Sequence, residues 1–193
     1  MHNVPSSTGK DLESGGGVRS TICFFTSSGT SALVIIVVLL LAVVAFIALR
    51  SPSGIMKGIA PDFSAETISH GTFLLSSHRE KVVVLSFIVS SCSACRAELQ
   101  ELREIWQDYG GRIVLASLSI DPTDSEAVLR DLSQTNGYGW IWMRGENLTV
   151  PYHILTTPTT VIVDQSGNIR FMNAGLTYAS TIRQEIDQLL NSI

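Results

Sequence analysis

From Ala32 to Leu49 the chain reads ALVIIVVLLLAVVAFIAL, with no charged or polar side chain. A run of about 18 apolar residues can cross the hydrocarbon core of a bilayer as one helix, because a helix satisfies its backbone hydrogen bonds internally. This run divides the 193-residue chain and dominates its hydropathy. Residues 1–30 before it are rich in Ser, Thr and Gly and cannot bury enough apolar surface to offset their ordering entropy, so the sequence predicts disorder there. Residues 31–49 are read as a transmembrane helix. A cleaved signal would carry a shorter apolar stretch of about 7–15 residues behind a short basic start. Here the run is longer, begins some 30 residues in, and is followed by Arg50-Ser51-Pro52 without a small-x-small cleavage site. A buried core helix rarely lacks every polar residue over such a length. An uncleaved, single-pass anchor fits the run better than either. Lys10 and Arg19 precede it and Arg50 and Lys57 follow it, so the positive-inside rule leaves the orientation open.

Residues 50–60, RSPSGIMKGIA, carry Pro and Gly punctuation and read as a linker. The globular domain is then 61–193. Thr72–Leu75 is a short strand candidate, and Lys81–Val89, KVVVLSFIV, is a β-branched and apolar run suited to a strand buried on both faces. From Ser93 to about Tyr109, Ala94, Leu99, Leu102, Ile105 and Trp106 recur at helical spacing, and Gly110-Gly111 ends the helix. Arg112–Ile120 reads as a second buried strand. Thr123 or Asp124 is expected to cap the next helix, which Asn136-Gly137 stops. A short strand follows at Gly139–Met143, with Trp140 and Trp142 expected to pack one inward and one outward. Thr159–Asp164 and Ile169–Asn173 form a hairpin, and Ser180–Leu190 an amphipathic closing helix. Alternating strands and helices with buried strands imply an α/β domain built on a mixed sheet flanked by helices.

The net charge of −4 and the absence of a Lys/Arg cluster exclude the electrostatic footprint of a nucleic-acid partner. Of three cysteines, Cys23 stands alone before the apolar run, whereas Cys92-Ser93-Ala94-Cys95 sits where a buried strand gives way to a helix. A cysteine in the first helical turn faces unpaired backbone N–H groups and the positive end of the dipole, which favours its thiolate. Positions i and i+3 share a face and come within disulfide reach. Cys92 is therefore the candidate nucleophile and Cys95 the thiol that resolves a mixed disulfide. The competing readings are half of a zinc site, for which no second Cys/His pair is evident, and two inert core cysteines. Thr157-Pro158-Thr159 precedes a strand, where proline is tolerated and where an X-Pro bond is either trans or cis. Glu98 and Glu101, farther along the first helix, are expected on its solvated face.

APDF at 60–63, KVVVLSF at 81–87, CSACRAEL at 92–99 and TTPTTVIVDQSGNI at 156–169 together resemble thioredoxin-like proteins of the redoxin (AhpC/TSA) superfamily. They are most similar to the membrane-anchored thiol–disulfide oxidoreductases of the TlpA/ResA type, which include reductants of cytochrome c maturation. The resemblance covers about residues 60–190. It implies a thioredoxin-like fold, Cys92 as attacking thiol, Cys95 as resolving thiol and Pro158 as a cis-proline facing the sulfurs. Thr157 would offer backbone hydrogen bonds to a bound partner strand, with Ser91, Ser93 and Ala94 completing the substrate-binding surface. By the same resemblance the catalytic domain lies outside the cytoplasm at the cell membrane, the substrates are protein disulfides, and electrons come from a membrane or thiol donor, with no bound cofactor or metal. The chain departs from the family in having Ser91 in place of a Trp before the first cysteine and no proline within the motif. Ser86 stands where thioredoxins proper carry a buried Asp, so the resemblance names no proton acceptor.

Two other functions make demands on particular residues. A peroxidase of this fold requires P-x-x-x-[ST]-x-x-C; Val89 and Leu85 occupy the required positions before Cys92, and the pattern fails. A Sco-type copper-delivery protein would pair Cys92 and Cys95 with an imidazole such as His153, and Ser119–Thr123 is similar to that group too, but its cysteines are normally spaced by three residues. A scaffold with a retired fold is disfavoured by the presence of both cysteines and Pro158.

Overall fold

The structure, a computed structural model, describes residues 34–42 and 58–191. Residues 34–42 are helical (α1), and the side chains of Val34–Leu41 are exposed. No helix among the described residues is long and apolar enough to cross a membrane. The remainder of the apolar run, the segment 1–30 with Cys23, and most of the linker lie outside the described residues.

The second unit is organised by a strand with no polar face. Val82–Ile88 (β4) is buried at every position. Its alternate side chains enter two separate cores, Val82, Val84 and Ile88 on one side and Val83, Leu85 and Phe87 on the other. Each such side chain, fully buried, contributes about 1.5–3 kcal/mol. Ile113–Ser119 (β5) pairs with it in parallel, and Ile141–Arg144 (β6) pairs in parallel with β5. Between them run helices Ser93–Tyr109 (α2) and Glu126–Thr135 (α3). Two right-handed crossovers stepping in the same direction place their helices on the same face of a sheet. Leu99, Leu102 and Ile105 of α2 and Leu129 of α3 accordingly share one core with Ile182 and Ile186 of the closing helix Ala179–Leu190 (α4).

Thr159–Val163 (β7) and Asn168–Ala174 (β8) complete the sheet as an antiparallel hairpin on the other side of β4. Gly58–Ile59 (β1), inside the stretch read as a linker, pairs with β8 and gives the order β1-β8-β7-β4-β5-β6. Two residues carry no alternation to read, which is why the sequence did not show it. A separate hairpin, Ser64–Glu66 (β2) and Thr72–Leu74 (β3), covers the second face with Phe63, Phe73, Tyr152 and Ile154. The mixed sheet flanked by helices is the expected α/β architecture.

Other departures are local. Ser125, not Thr123 or Asp124, caps α3, its Oγ accepting from the Val128 N–H at 3.3 Å; the Asp124 carboxylate turns inward instead. Trp140 and Trp142 are both buried and stacked at 5.9 Å, because residues two apart in extended chain share a face. Gly110 closes α2: a Cβ there would meet the Trp106 carbonyl oxygen at 2.7 Å, and Gly111 follows at φ +84°.

Candidate active site

The chain leaves β4 and turns through Val89–Ser91 before α2 begins. Cys92 is the N-cap of α2, with φ −77° and ψ 122°, and its Sγ accepts the Cys95 backbone N–H at 3.1 Å. Ser, Thr, Asp or Asn ordinarily takes this position, where a side-chain acceptor satisfies an orphan helix donor. Here sulfur does so, and the acceptor is the more effective when it is a thiolate. Cys92 is half-buried and Cys95 is buried; both are free thiols. Cys95 lies one turn along, beneath the surface formed by exposed Ser91, Ser93 and Ala94.

The opposite wall comes from the start of β7. The Thr157–Pro158 peptide is cis, Pro158 is buried, and the Cys92 thiol points at the Thr157 carbonyl oxygen at 3.9 Å. Two bonds hold this turn: the Thr159 hydroxyl donates to the Thr156 carbonyl at 2.7 Å, and the Gly175 N–H donates to the Pro158 carbonyl at 2.7 Å. The structure thus brings together Cys92, Cys95, Thr157 and Pro158 across elements 65 residues apart.

The two thiols are driven in opposite directions. Partial burial works against ionisation of Cys92, but hydrogen bonds from the Cys95 thiol, the Cys95 and Ala94 backbone N–H groups and the Thr157 side chain outweigh it, and its pKa is lowered. Burial, followed by the hydrogen bond to Cys92, pushes the Cys95 thiol up to about 12. One sulfur is therefore readied as a nucleophile while its neighbour retains its proton.

One turn beyond Cys95 on α2 lies a buried carboxylate, Glu98, expected from the sequence on the solvated face. Its Oε1 accepts from the Ser86 hydroxyl at 2.8 Å, and its Oε2 from the Thr177 N–H at 3.0 Å. Ser86 faces α2 from β4, and Thr160, its cross-strand partner on β7, is equally buried. Burial holds the Glu98 carboxyl above its ordinary range, with the bonds from Ser86 and Thr177 opposing. The signal was in the spacing: Cys95, Glu98, Leu99 and Leu102 form one i, i+3, i+4, i+7 stripe. Glu101 is half-buried and its Oε2 accepts the Ala179 N–H at 2.8 Å, at the start of α4.

His153 is not part of this constellation. It occupies an exposed turn at φ 51°. Among the described residues no group of three or more His, Cys, Asp or Glu side chains is placed to hold a metal ion, so the copper-site geometry of Cys92, Cys95 and His153 is not formed.

The model of the AhpC/TSA family matches residues 56–172. The chain belongs to this family. The thioredoxin-like protein YneN of Bacillus subtilis (strain 168) is 26% identical over 137 residues, covering 69% of this chain and 81% of that protein. The thiol-disulfide oxidoreductase ResA of Geobacillus thermodenitrificans (strain NG80-2) is 23% identical over 133 residues, covering 67% and 75%. Among solved structures, a DsbF homologue from Corynebacterium diphtheriae superposes with a TM-score of 0.64 at 18% identity, covering 72% of this chain and 97% of that one. The fold is thioredoxin-like, and the protein is an oxidoreductase of that kind.

Proposed function

We propose that the protein exchanges disulfides with protein substrates through Cys92 and Cys95, acting chiefly as a reductant, while tethered to the cell membrane by the run that contains α1. The observation that carries this reading is the Cys92 sulfur at the N-terminus of α2, 3.1 Å from the Cys95 N–H and 3.9 Å from the Thr157 carbonyl oxygen, with Cys95 buried behind it. The Cys92 thiolate attacks one sulfur of a partner disulfide; an S–S bond forms to Cys92, and the partner's other sulfur leaves as a thiolate. The partner strand pairs with the Thr157 backbone while Ser91, Ser93 and Ala94 line the approach. Cys95 then gives up its proton, attacks Cys92 and releases the second partner thiol, leaving the Cys92–Cys95 disulfide. A thiol whose pKa is pushed up to about 12 needs a base for this step. Glu98, the buried carboxylate one turn farther along the same helix, is that acceptor. A membrane or soluble thiol donor returns two electrons to the pair.

The anchor rests on the unbroken apolar sequence of 32–49 and on the exposed apolar side chains of α1. Placement of the domain outside the cytoplasm, and a role such as cytochrome c maturation, follow the resemblance to tethered oxidoreductases of the TlpA/ResA type. A redox titration of the full chain with alkylation of free thiols tests the chemistry. A two-electron couple that disappears in Cys92→Ser is the expected result, and a protein with no titratable disulfide overturns the reading. Fractionation of cells should leave the full chain with membranes, and an impermeant thiol reagent on intact cells should label Cys92. Labelling only after lysis reverses the orientation.

A further inference from the structure

Asp124 is 4% exposed and carries three hydrogen bonds. Its Oδ2 accepts the Ser90 N–H at 2.9 Å and the Ser119 hydroxyl at 2.5 Å, and its Oδ1 accepts the Ser90 hydroxyl at 2.5 Å. Ser119 is the last residue of β5 and is fully buried. Ser90 lies in the turn between β4 and the nucleophile, two residues before Cys92. One carboxylate therefore grips both polar groups that Ser90 can donate and fastens them to the end of the neighbouring strand. The carbonyl of the same residue is gripped from the other side: Arg96 Nε donates to Ser90 O at 3.2 Å. Within the turn, the Cys92 N–H donates to the Val89 carbonyl at 3.1 Å.

This grip exceeds what joining two loops requires. Burying a carboxylate is costly, and three charge-assisted bonds from fixed donors offset that cost only where the geometry is held closely. Ser125 already caps α3, so Asp124 is not needed to start that helix. What it does fix is the backbone entering Cys92. The Cys92 sulfur meets the Cys95 N–H only while Cys92 keeps its extended N-cap conformation, and that depends on where the turn before it stands.

We propose that Asp124 is a positioning residue for Cys92, holding the Val89–Ser91 turn so that the sulfur lies against the first-turn amides of α2. Asp124 touches no reacting atom and acts through Ser90. The proposal rests on the functional reading above, in which Cys92 is the attacking group.

The test is the pH dependence of Cys92 alkylation in the full chain, for the wild type, Ser90→Ala, Asp124→Asn and Asp124→Ala, with unfolding followed in parallel. Core variant Leu102→Ala serves as a control for lost stability alone. A one-unit rise in the Cys92 midpoint lowers the thiolate fraction about tenfold at any pH below both midpoints. Asp124→Ala should approach that loss. Asp124→Asn, which keeps one oxygen for the Ser90 N–H, should lose less, and Ser90→Ala, which removes one hydroxyl, should lose least while still differing from the wild type. Leu102→Ala should keep the wild-type midpoint. If Asp124→Ala does not fold, Asp124→Asn and Ser90→Ala carry the test. Folded variants that keep the wild-type midpoint overturn the proposal, as does a shift in Leu102→Ala as large as in the Asp124 variants. A wild-type midpoint no lower than that of a free cysteine instead overturns the functional reading, so the two failures are distinct.

Discussion

The Ser86 hydroxyl donates to Glu98 Oε1 at 2.8 Å, with both side chains fully excluded from solvent. Ser86 stands six residues before Cys92, the position at which thioredoxins proper carry a buried aspartate. The strand here supplies a hydroxyl, and the carboxylate arrives from the helix that carries the cysteines. The Thr177 N–H also donates to this carboxylate, which links it to the segment leading into α4.

Glu98 should make stability fall as pH rises. Its folded-state pKa is raised above the ordinary 4.5, first by burial, so the native state binds this proton more tightly than the unfolded state does. The linkage then stabilises the fold at pH below the unfolded value and is lost as pH rises through the folded value. Urea unfolding of the wild type and Glu98→Gln between pH 4 and 8 should show the difference moving in favour of the variant with rising pH, then levelling. A difference independent of pH would contradict the burial of an ionisable Glu98.

The same variant should separate the two chemical steps. Cys92 keeps its first-turn amides in Glu98→Gln, so attack on a partner disulfide should be little changed. Release from the mixed disulfide needs the Cys95 proton removed, and loss of a positioned base should slow it by about a hundredfold or more. Rapid-quench trapping of the mixed disulfide reads both steps. Equal slowing of attack and release would assign Glu98 a structural role only.

Much of this arrangement was legible in the sequence, for identifiable reasons. A strand buried on both faces announces itself as an unbroken apolar run, and α2 by its periodic stripe, so Val82–Ile88 and Ser93–Tyr109 stand within a residue of their expected bounds. The pair Cys92–Cys95 was readable from its spacing, whereas the cis turn at Thr157–Pro158 was readable only through the family resemblance, since an X-Pro step alone leaves cis and trans open. Asp124 and Ser90 were not, because nothing local distinguishes a carboxylate facing water from one facing a hydroxyl 34 residues away. Glu98 could have been placed inward by its helical stripe, but its partner Ser86, 12 residues away, could not be read. Their partners exist only once the sheet has assembled. The two-residue β1 and three-residue β2 were missed for a related reason, being too short for a period and held by pairing with β8 and β3.

Glu101 offers a test of the α4 anchor. The N-cap of α4, Tyr178, makes no side-chain capping bond, and Glu101 Oε2 takes the Ala179 N–H at 2.8 Å from across the helix pair. A carboxylate at a helix N-terminus satisfies an orphan donor and complements the dipole. Glu101→Ala should therefore cost about 1 kcal/mol in denaturant unfolding, the size of a lost cap, and leave the midpoint for Cys92 alkylation in place.

The acidity of Cys92 should depend on Cys95 as a donor more than on Cys95 as a sulfur. Partial burial resists the Cys92 thiolate, and the bond from the Cys95 side chain is the largest of the opposing contributions, followed by the Cys95 backbone N–H. Cys95→Ala removes the first and keeps the second, so the Cys92 midpoint should rise toward the free-cysteine value without reaching it. Cys95→Ser keeps a hydroxyl donor at the same place and should hold the midpoint below that of Cys95→Ala. Iodoacetamide rates measured from pH 5 to 10 on both variants decide the point. Identical profiles for Ala and Ser would mean that the helix amides alone set the acidity, and that the buried partner contributes only its later attack.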